Sequence, residues 1–250
     1  MKDKIEISAT IVIFKEDIDT LQKTINCFLN TPLLKKLYLV DNSPTNELKD
    51  TFKHPEVGYI FNGKKLGFCC ADNLIIPKLN SDFHLILNPD VIFDSQVLPN
   101  LISELKRQEN ISMISPQLLS NDGTLQYTSR KTPSFLELIF RRMGVLKKYT
   151  RKREYRDRDL SKPFSPDFIH GCFMLFKTND FIEVNGFDER YFLYMEDADI
   201  CRKIKHMGKE ILYYPHQEIT HNHRRGSSKN IRLLFYHLTS SIKYFQKWSN

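Results

Sequence analysis

Between residues 186 and 199 the chain carries its densest set of chemically capable side chains: Asp188, Glu189, Glu196, Asp197 and Asp199, interleaved with Tyr191, Phe192 and Tyr194. Glu196 and Asp197 fall in the first turn of an expected helix, where the helix dipole stabilises negative charge, so both are expected to be ionised and able to take a proton. Helix capping would account for one such acid. It leaves the aromatic residues unexplained, and these would make a wall for a sugar ring. Neighbouring helical residues point about 100° apart, so only one of the two acids can face a reacting group directly, and Glu196 competes with Asp197 for that place.

Three other groups could do related chemistry. Asn88-Pro89-Asp90 puts an acid just past a buried strand, behind a proline that restricts the residue before it; this suits an oxygen ligand for a hard divalent cation holding a diphosphate, or a plain turn. Asp41 could accept a hydrogen bond from a base N–H or a ribose hydroxyl, or begin an Asx-turn with Ser43. In the run 221–228, His221 or His223 could complete a cation site with Asp90 while Arg224, Arg225 and the backbone N–H groups of Gly226 to Ser228 face phosphate oxygens; a solvated polar loop is the alternative.

A strand–helix rhythm would position these residues. A strand over 9–14 leads to a helix with Leu21, Ile25 and Phe28 at i, i+4 and i+7. Strands over 37–40, 58–61, 83–87 and 111–114 alternate with helices over 69–79 and 96–108. The pattern predicts an α/β fold: a mostly parallel central sheet with helices on both faces and ligands at the carboxyl ends of its strands, where Asp41 and Asp90 lie. The rhythm fails over 116–166. There Asn121-Asp122-Gly123 predicts a hairpin, and Ser134 to Glu137 form a capping box opening an amphipathic helix with Leu136, Ile139, Met143 and Leu146 on one face. It resumes with a strand over 168–176, a short helix ending at Asn185-Gly186, and a helix from Glu196 to the stop at Gly208. A strand over 211–214, a polar loop after Pro215 and an aromatic C-terminal helix follow.

With 41% apolar residues in 250, the chain can fill a substantial core. No apolar run approaches the roughly 18 residues that cross a bilayer, and the first residues lead straight into a strand, so neither an integral membrane protein nor a cleaved leader is expected. Net charge is +7, from 37 Lys and Arg against 30 Asp and Glu. It is concentrated in 141–158, where nine basic residues face only Glu154 and Asp157. That distribution argues against a nucleic-acid-binding surface and for one local patch facing an anionic partner. With the amphipathic segment before it, the patch suits an anionic membrane surface or a solvated insertion. Five scattered cysteines fit a reducing cytosol, without a disulfide frame or zinc knuckle.

Taken in order, Asp41-Asn42-Ser43, Asn62 with Leu66-Gly67-Phe68 and Asn73, Leu87-Asn88-Pro89-Asp90-Val91, Gly171 to Leu175, Gly186-Phe187-Asp188-Glu189, Tyr194 to Ile200 and His223 to Ser228 resemble the family 2 inverting glycosyltransferases of the GT-A (Rossmann-like) fold. Their order is most similar to the rhamnosyltransferase branch that builds bacterial surface polysaccharides. The resemblance divides the chain into a nucleotide-sugar-binding half (1–115), a basic insertion (116–166) and an acceptor and catalytic half (167–250). It implies that Asp41 contacts the base and that Phe14, Glu16, Gly67 and Asn73 line the nucleotide pocket. Asp90 and His223 would hold Mg²⁺ or Mn²⁺, and Asp197 would be the catalytic base. Gly171, Tyr194 and Glu196 fall on the acceptor side. Asn88 stands where the family's first cation-site aspartate is usual, and Lys15 and Glu16 where an aromatic-asparagine start is. The implied reaction is single displacement from a nucleotide-diphosphate sugar (dTDP-rhamnose or a UDP-sugar) to a glycan or lipid-linked acceptor, in the cytoplasm or on the inner face of the membrane, with an oligomer left open. A non-catalytic nucleotide-sugar-binding or scaffold protein is the alternative that Asn88 motivates.

Overall fold

The computed structural model describes residues 4–134, 151–222 and 231–249. The helix expected from Ser134 onward, and His223, Arg224 and Arg225, lie outside the described residues.

Parallel ladders join β1 (Glu6–Ile13), β2 (Leu34–Asp41), β3 (Val57–Phe61) and β4 (Phe83–Leu87) in the order β3-β2-β1-β4. Beyond β4 the sheet becomes mixed. The strand β10 (Phe173–Lys177) runs antiparallel between β4 and β6 (Ile111–Leu119), β11 (Glu210–His221) lies parallel to β6, and the short β5 (Val91–Ile92) closes the edge. Register places Ile13 beside Asp41. The residues that follow β1, β2 and β4 therefore emerge at one edge, as the strand–helix rhythm predicts.

Alternation along the strands sorts side chains to the two faces. Leu85, Leu87, Phe173 and Leu175 pack with α1 (Ile18–Leu29) and α3 (Val97–Arg107), which contribute Leu21, Ile25, Phe28, Leu98, Leu101 and Leu105. Ile86, Met174, Phe176, Ile211 and Tyr213 face the other way. They meet Phe181 of α4 (Thr178–Glu183), Ile200, Cys201 and Ile204 of α5 (Glu196–His206), and Tyr244 of α6 (Ile231–Trp248). On this face the fully buried His84 is satisfied by Ser8 Oγ (2.8 Å) and Thr10 Oγ1 (3.3 Å), and burial pushes its pKa down to about 3.

The last helix is tied to the acidic one. Asp199, fully buried in α5, accepts from Lys247 Nζ (2.8 Å), Trp248 Nε1 (2.7 Å) and Tyr191 Oη (3.1 Å). Tyr191 is thus a core residue and not part of a ligand wall.

Besides β1 and β2, which each begin three residues earlier than expected, four elements differ from expectation. The helix expected over 69–79 stops as α2 (Phe68–Asn73) and restarts as a 3₁₀ turn at Ile76–Lys78. Pro77 explains the break: in a continuous α-helix its ring would collide with the carbonyl of Asn73, four residues earlier. The strand expected over 168–176 divides into β9 (Phe168–Ile169), paired with β8 (Ser129–Arg130), and β10, because the chain makes a tight turn at Gly171, where Cys172 N donates to His170 O (3.0 Å). The strand expected to end near Pro215 runs on to His221 through a register shift between Tyr214 and Glu218, where a proline can sit without breaking a ladder bond. His221 is consequently a strand residue, paired with Val91, and not part of a loop. The strand β6 also runs past Ile114 to Leu119. There the expected hairpin at Asn121-Asp122-Gly123, with Gly123 at φ +79°, joins it to β7 (Leu125–Gln126).

Candidate active site

A cleft of about 1890 Å³ opens at the edge where β1 and β4 end, and is closed on the far side by the start of α5 and by α6. Asn88 and Asp90 line it from the sheet, Glu196 and Asp197 from α5. Between them runs the turn 170–172: Asn88 N donates to Cys172 O (2.9 Å), and a Cβ built on Gly171 would lie 3.6 Å from that of Asp197. After burial, the charges of Asp90 and then Asp197 push the Cys172 thiol up. The two acids thus act on one sulfur from two elements.

Met195 precedes α5 in the left-handed region (φ 71°), as does Tyr194 (φ 71°). Consecutive non-glycine residues there cost of order 1–3 kcal/mol each and recur where structure is spent on function. Their effect is to start the helix abruptly and bring Asp197 to the cleft. Its Oδ1 accepts from Ala198 N (2.7 Å), and its Oδ2 lies 3.0 Å from His170 Nδ1. Glu196, one residue round the helix, is partly buried, with Oε2 sealed from solvent and without a hydrogen-bond partner. Burial, then the charge of Asp197, pushes its carboxyl well above the usual range. This corrects the expectation that both acids are ionised: desolvation outweighs the helix dipole, which is worth at most about 2 kcal/mol. The buried Asp72 of α2 is raised in the same way by burial and by Glu196.

Asp90 Oδ1 is buried without a hydrogen bond, and His221 Nε2 stands 3.3 Å away. Gln126 fixes that ring. Its Nε2 donates to His221 O (2.8 Å), which orients the amide so that Oε1, 3.2 Å from His221 Nδ1, accepts from it. Nδ1 then donates to Gln126, which turns Nε2 toward a carboxylate oxygen. An imidazole nitrogen and a carboxylate oxygen side by side suit a divalent cation. Among the described residues no set of three or more His, Cys, Asp or Glu ligands forms, so any cation here takes its remaining ligands from elsewhere.

The residues that the resemblance assigns to the nucleotide are placed less directly than it implies. Asp41 is fully buried, with Oδ1 accepting from Ser43 N (2.7 Å) and Oδ2 from Tyr59 Oη (2.5 Å), so it lies behind the cleft wall. Asn42 lines the cleft instead and donates to Gly67 O (3.3 Å). Asn73 also lies behind the wall, exchanging two hydrogen bonds with the Phe187 backbone (2.8 and 2.9 Å). Phe14, Glu16 and Gly67 do line the cleft, as do Gly171 and Tyr194. Gly67 is required by its backbone: φ is +86°, and an added Cβ would stand 2.8 Å from Phe192 O.

Three further residues line the cleft, Lys65 and Arg130 without any sequence signal of their own. Lys65 Nζ sits 4.4 Å from the Phe14 ring centroid and 5.5 Å from that of Phe192. Arg130 Nε donates to His170 Nε2 (2.8 Å). For His170 the one hint is its position, immediately before a glycine at a strand break.

With this geometry in view, known proteins are informative. Over 206 residues the chain is 28% identical to the low-salt glycan biosynthesis hexosyltransferase Agl10 of Haloferax volcanii, covering 80% of this chain and 62% of that one. It is 28% identical to the rhamnosyltransferase WbbL of Escherichia coli (85% and 82% covered) and 26% identical to the N-acetylglucosaminyl-diphospho-decaprenol L-rhamnosyltransferase of Mycobacterium tuberculosis (82% and 72%). The fold is shared with GalNAc-T7 bound to UDP, GalNAc and Mn²⁺ (TM-score 0.69, 16% identity, 91% of this chain and 45% of that one). It is shared too with the mannosyltransferase PcManGT of Pyrobaculum calidifontis bound to GDP-Man and Mn²⁺ (0.64, 15%, 97% and 65%). Both support the GT-A architecture expected from the resemblance. Residues 158–225 match the model for the N-terminal domain of galactosyltransferase. Residues 8–184, more than half of the chain, match the model for glycosyl transferase family 2, and the protein belongs to that family.

Proposed function

We propose that the protein is an inverting hexosyltransferase of glycan assembly, moving a sugar such as L-rhamnose from a nucleotide-diphosphate donor to a glycan or lipid-linked acceptor. The observation that carries this reading is the convergence of Asp90, from the end of β4, and Asp197, from the start of α5, on one cleft beside the turn 170–172. Names of the relatives support the sugar class, and the mycobacterial one supports a lipid-diphosphate acceptor.

In the proposed reaction Asp197 takes the proton of an acceptor hydroxyl as that oxygen attacks the anomeric carbon from the face opposite the leaving diphosphate, so configuration inverts without a covalent enzyme intermediate. Glu196, held neutral, can donate a hydrogen bond to the acceptor or to backbone without competing for the proton. Asp90 and His221 are the described residues that would hold Mg²⁺ or Mn²⁺, which would offset charge on the leaving diphosphate. Phe192 and Tyr194 supply aromatic surface to the cleft, and Lys65 a positive charge at its nucleotide end. The remaining ligands expected of His223, and the phosphate contacts expected of Arg224 and Arg225, belong to the same proposal. No helix among the described residues is long and apolar enough to cross a membrane. For a lipid-linked acceptor we place the protein at the inner face of a membrane, with the exposed Phe235 and Ile242 of α6 toward the lipid; Arg153 and Arg156 of the basic tract line the cleft instead.

Release of nucleoside diphosphate from a panel of dTDP-, UDP- and GDP-sugars, with and without EDTA, tests the proposal. One donor should support release that EDTA suppresses and Mn²⁺ or Mg²⁺ restores, and His221→Ala should raise the cation concentration needed. Asn88 favours a second reading, a protein that binds the donor without turnover; it predicts donor binding with no release under any condition.

A further inference from the structure

Two histidines in the chain show what separates a structural ring from a working one. His84 is fully buried between Ser8 and Thr10, away from the cleft. The His170 side chain is 45% exposed, lines the cleft, and is held at both nitrogens.

The donors and acceptors around His170 determine its tautomer. Arg130 Nε can only donate, so the lone pair of a neutral ring must be at Nε2, 2.8 Å away. The ring proton is then on Nδ1, 3.0 Å from Asp197 Oδ2. Arg130 is itself fixed, since its Nη1 donates to Glu154 Oε1 (2.7 Å), and that buried carboxylate also takes Arg156 Nε (2.6 Å). A line of alternating donors and acceptors therefore runs Arg156, Glu154, Arg130, His170, Asp197, from the basic segment to the carboxylate at the start of α5.

We infer that His170 is a positioning residue for Asp197, locked by Arg130 as the Nδ1–H tautomer so that it orients the carboxylate and favours its anionic form. Because Nδ1 already bears a proton and Nε2 is capped by Arg130, His170 does not itself receive the proton of the acceptor hydroxyl; that proton stays on Asp197 and leaves from there. The inference rests on the proposed role of Asp197. The charged and titratable groups around the pair are Glu196 and Cys201 on the same helix, Cys172 on the neighbouring turn, and Arg130, Arg153, Glu154 and Arg156 on the acceptor side.

The test compares His170→Ala, His170→Asn and Arg130→Gln in full-length protein, using the donor that supports nucleoside diphosphate release. His170→Ala should lower kcat about 10–100-fold with little change in donor KM, and move the acid limb of the kcat/KM profile upward by about one pH unit, since a hydrogen bond favouring the anion is lost. His170→Asn, whose amide N–H reaches the place of Nδ1–H, should recover most of the rate and return the limb. Arg130→Gln should fall between them. Rate loss without movement of the limb, or without recovery in His170→Asn, would mean a merely structural ring and overturn the inference, as would wild-type kcat in His170→Ala. Full turnover in Asp197→Asn would instead remove the base assignment itself, so the two failures are distinct.

Discussion

Replacing Glu196 by Gln should make the protein relatively more stable as the pH rises. Burial and the charge of Asp197 hold the Glu196 carboxyl above the 4.5 of an ordinary glutamate. Above that pH the unfolded chain releases the proton and the folded chain keeps it, so stability falls by about 1.4 kcal/mol for each further pH unit until the raised value is passed. Glu196→Gln removes this slope. A buried amide brings its own cost, about 1–3 kcal/mol for unmet donors, but that cost does not vary with pH. The diagnostic quantity is therefore the change in the difference. Between about pH 5 and pH 7 it should move by about 3 kcal/mol in favour of the variant, or roughly 6–12 °C in Tm for a chain of this size. Urea unfolding followed by circular dichroism at several pH values measures it. In turnover the acids should part company: Asp197→Asn loses about 10²–10⁴-fold, while Glu196→Gln stays within about tenfold. A stability difference that does not change with pH would mean that Glu196 is charged in the folded protein. Equal losses of turnover would refute a single base.

His84 should give a slope of the opposite sign. Its folded pKa is pushed down to about 3 from 6.5, so below about pH 6.5 the unfolded chain gains a proton that the folded one refuses, and stability drops by about 1.4 kcal/mol per unit on acidification; unfolding of His84→Asn at pH 4 to 7 should show that dependence reduced. Gly67→Ala should destabilise by about 1–3 kcal/mol, from a backbone region almost confined to glycine and a contact with the carbonyl of Phe192, read as a lower denaturation midpoint with unchanged m-value.

Much of the frame is legible in the sequence because it follows from periodicity. Leu21, Ile25 and Phe28 announce the buried face of α1, and the strand–helix alternation by itself places Asp90 at a carboxyl edge. Where expectation fails, a tertiary effect overrides a local one. Glu196 reads as ionised from its helix position, but the field of a helix end is weaker than the loss of water around a carboxyl. Asp41 and Asn73 have side chains suited to a ligand, yet both are spent on their own backbone and neighbours. Tyr191 is consumed by Asp199. His221 reads as a loop residue because Pro215 looks terminal; the bulge that absorbs the proline depends on β6, a hundred residues away. His170 illustrates the deeper limit: its meaning lies in Arg130 and Asp197, which no spacing rule links.

The pairing of Asp199 with Lys247 and Trp248 has a bearing on how the molecule is made. A chain grows from its N-terminus, so the helix that carries the base is synthesised about fifty residues before the cation that balances it. Until those residues emerge, closing the core around α5 means enclosing an anion without its ion-pair partner, at a cost of about 3–5 kcal/mol. The cleft therefore takes its final form only once Lys247 and Trp248 have been made, and messages cut short of Lys247 should yield polypeptides that chaperones and proteases treat as incomplete.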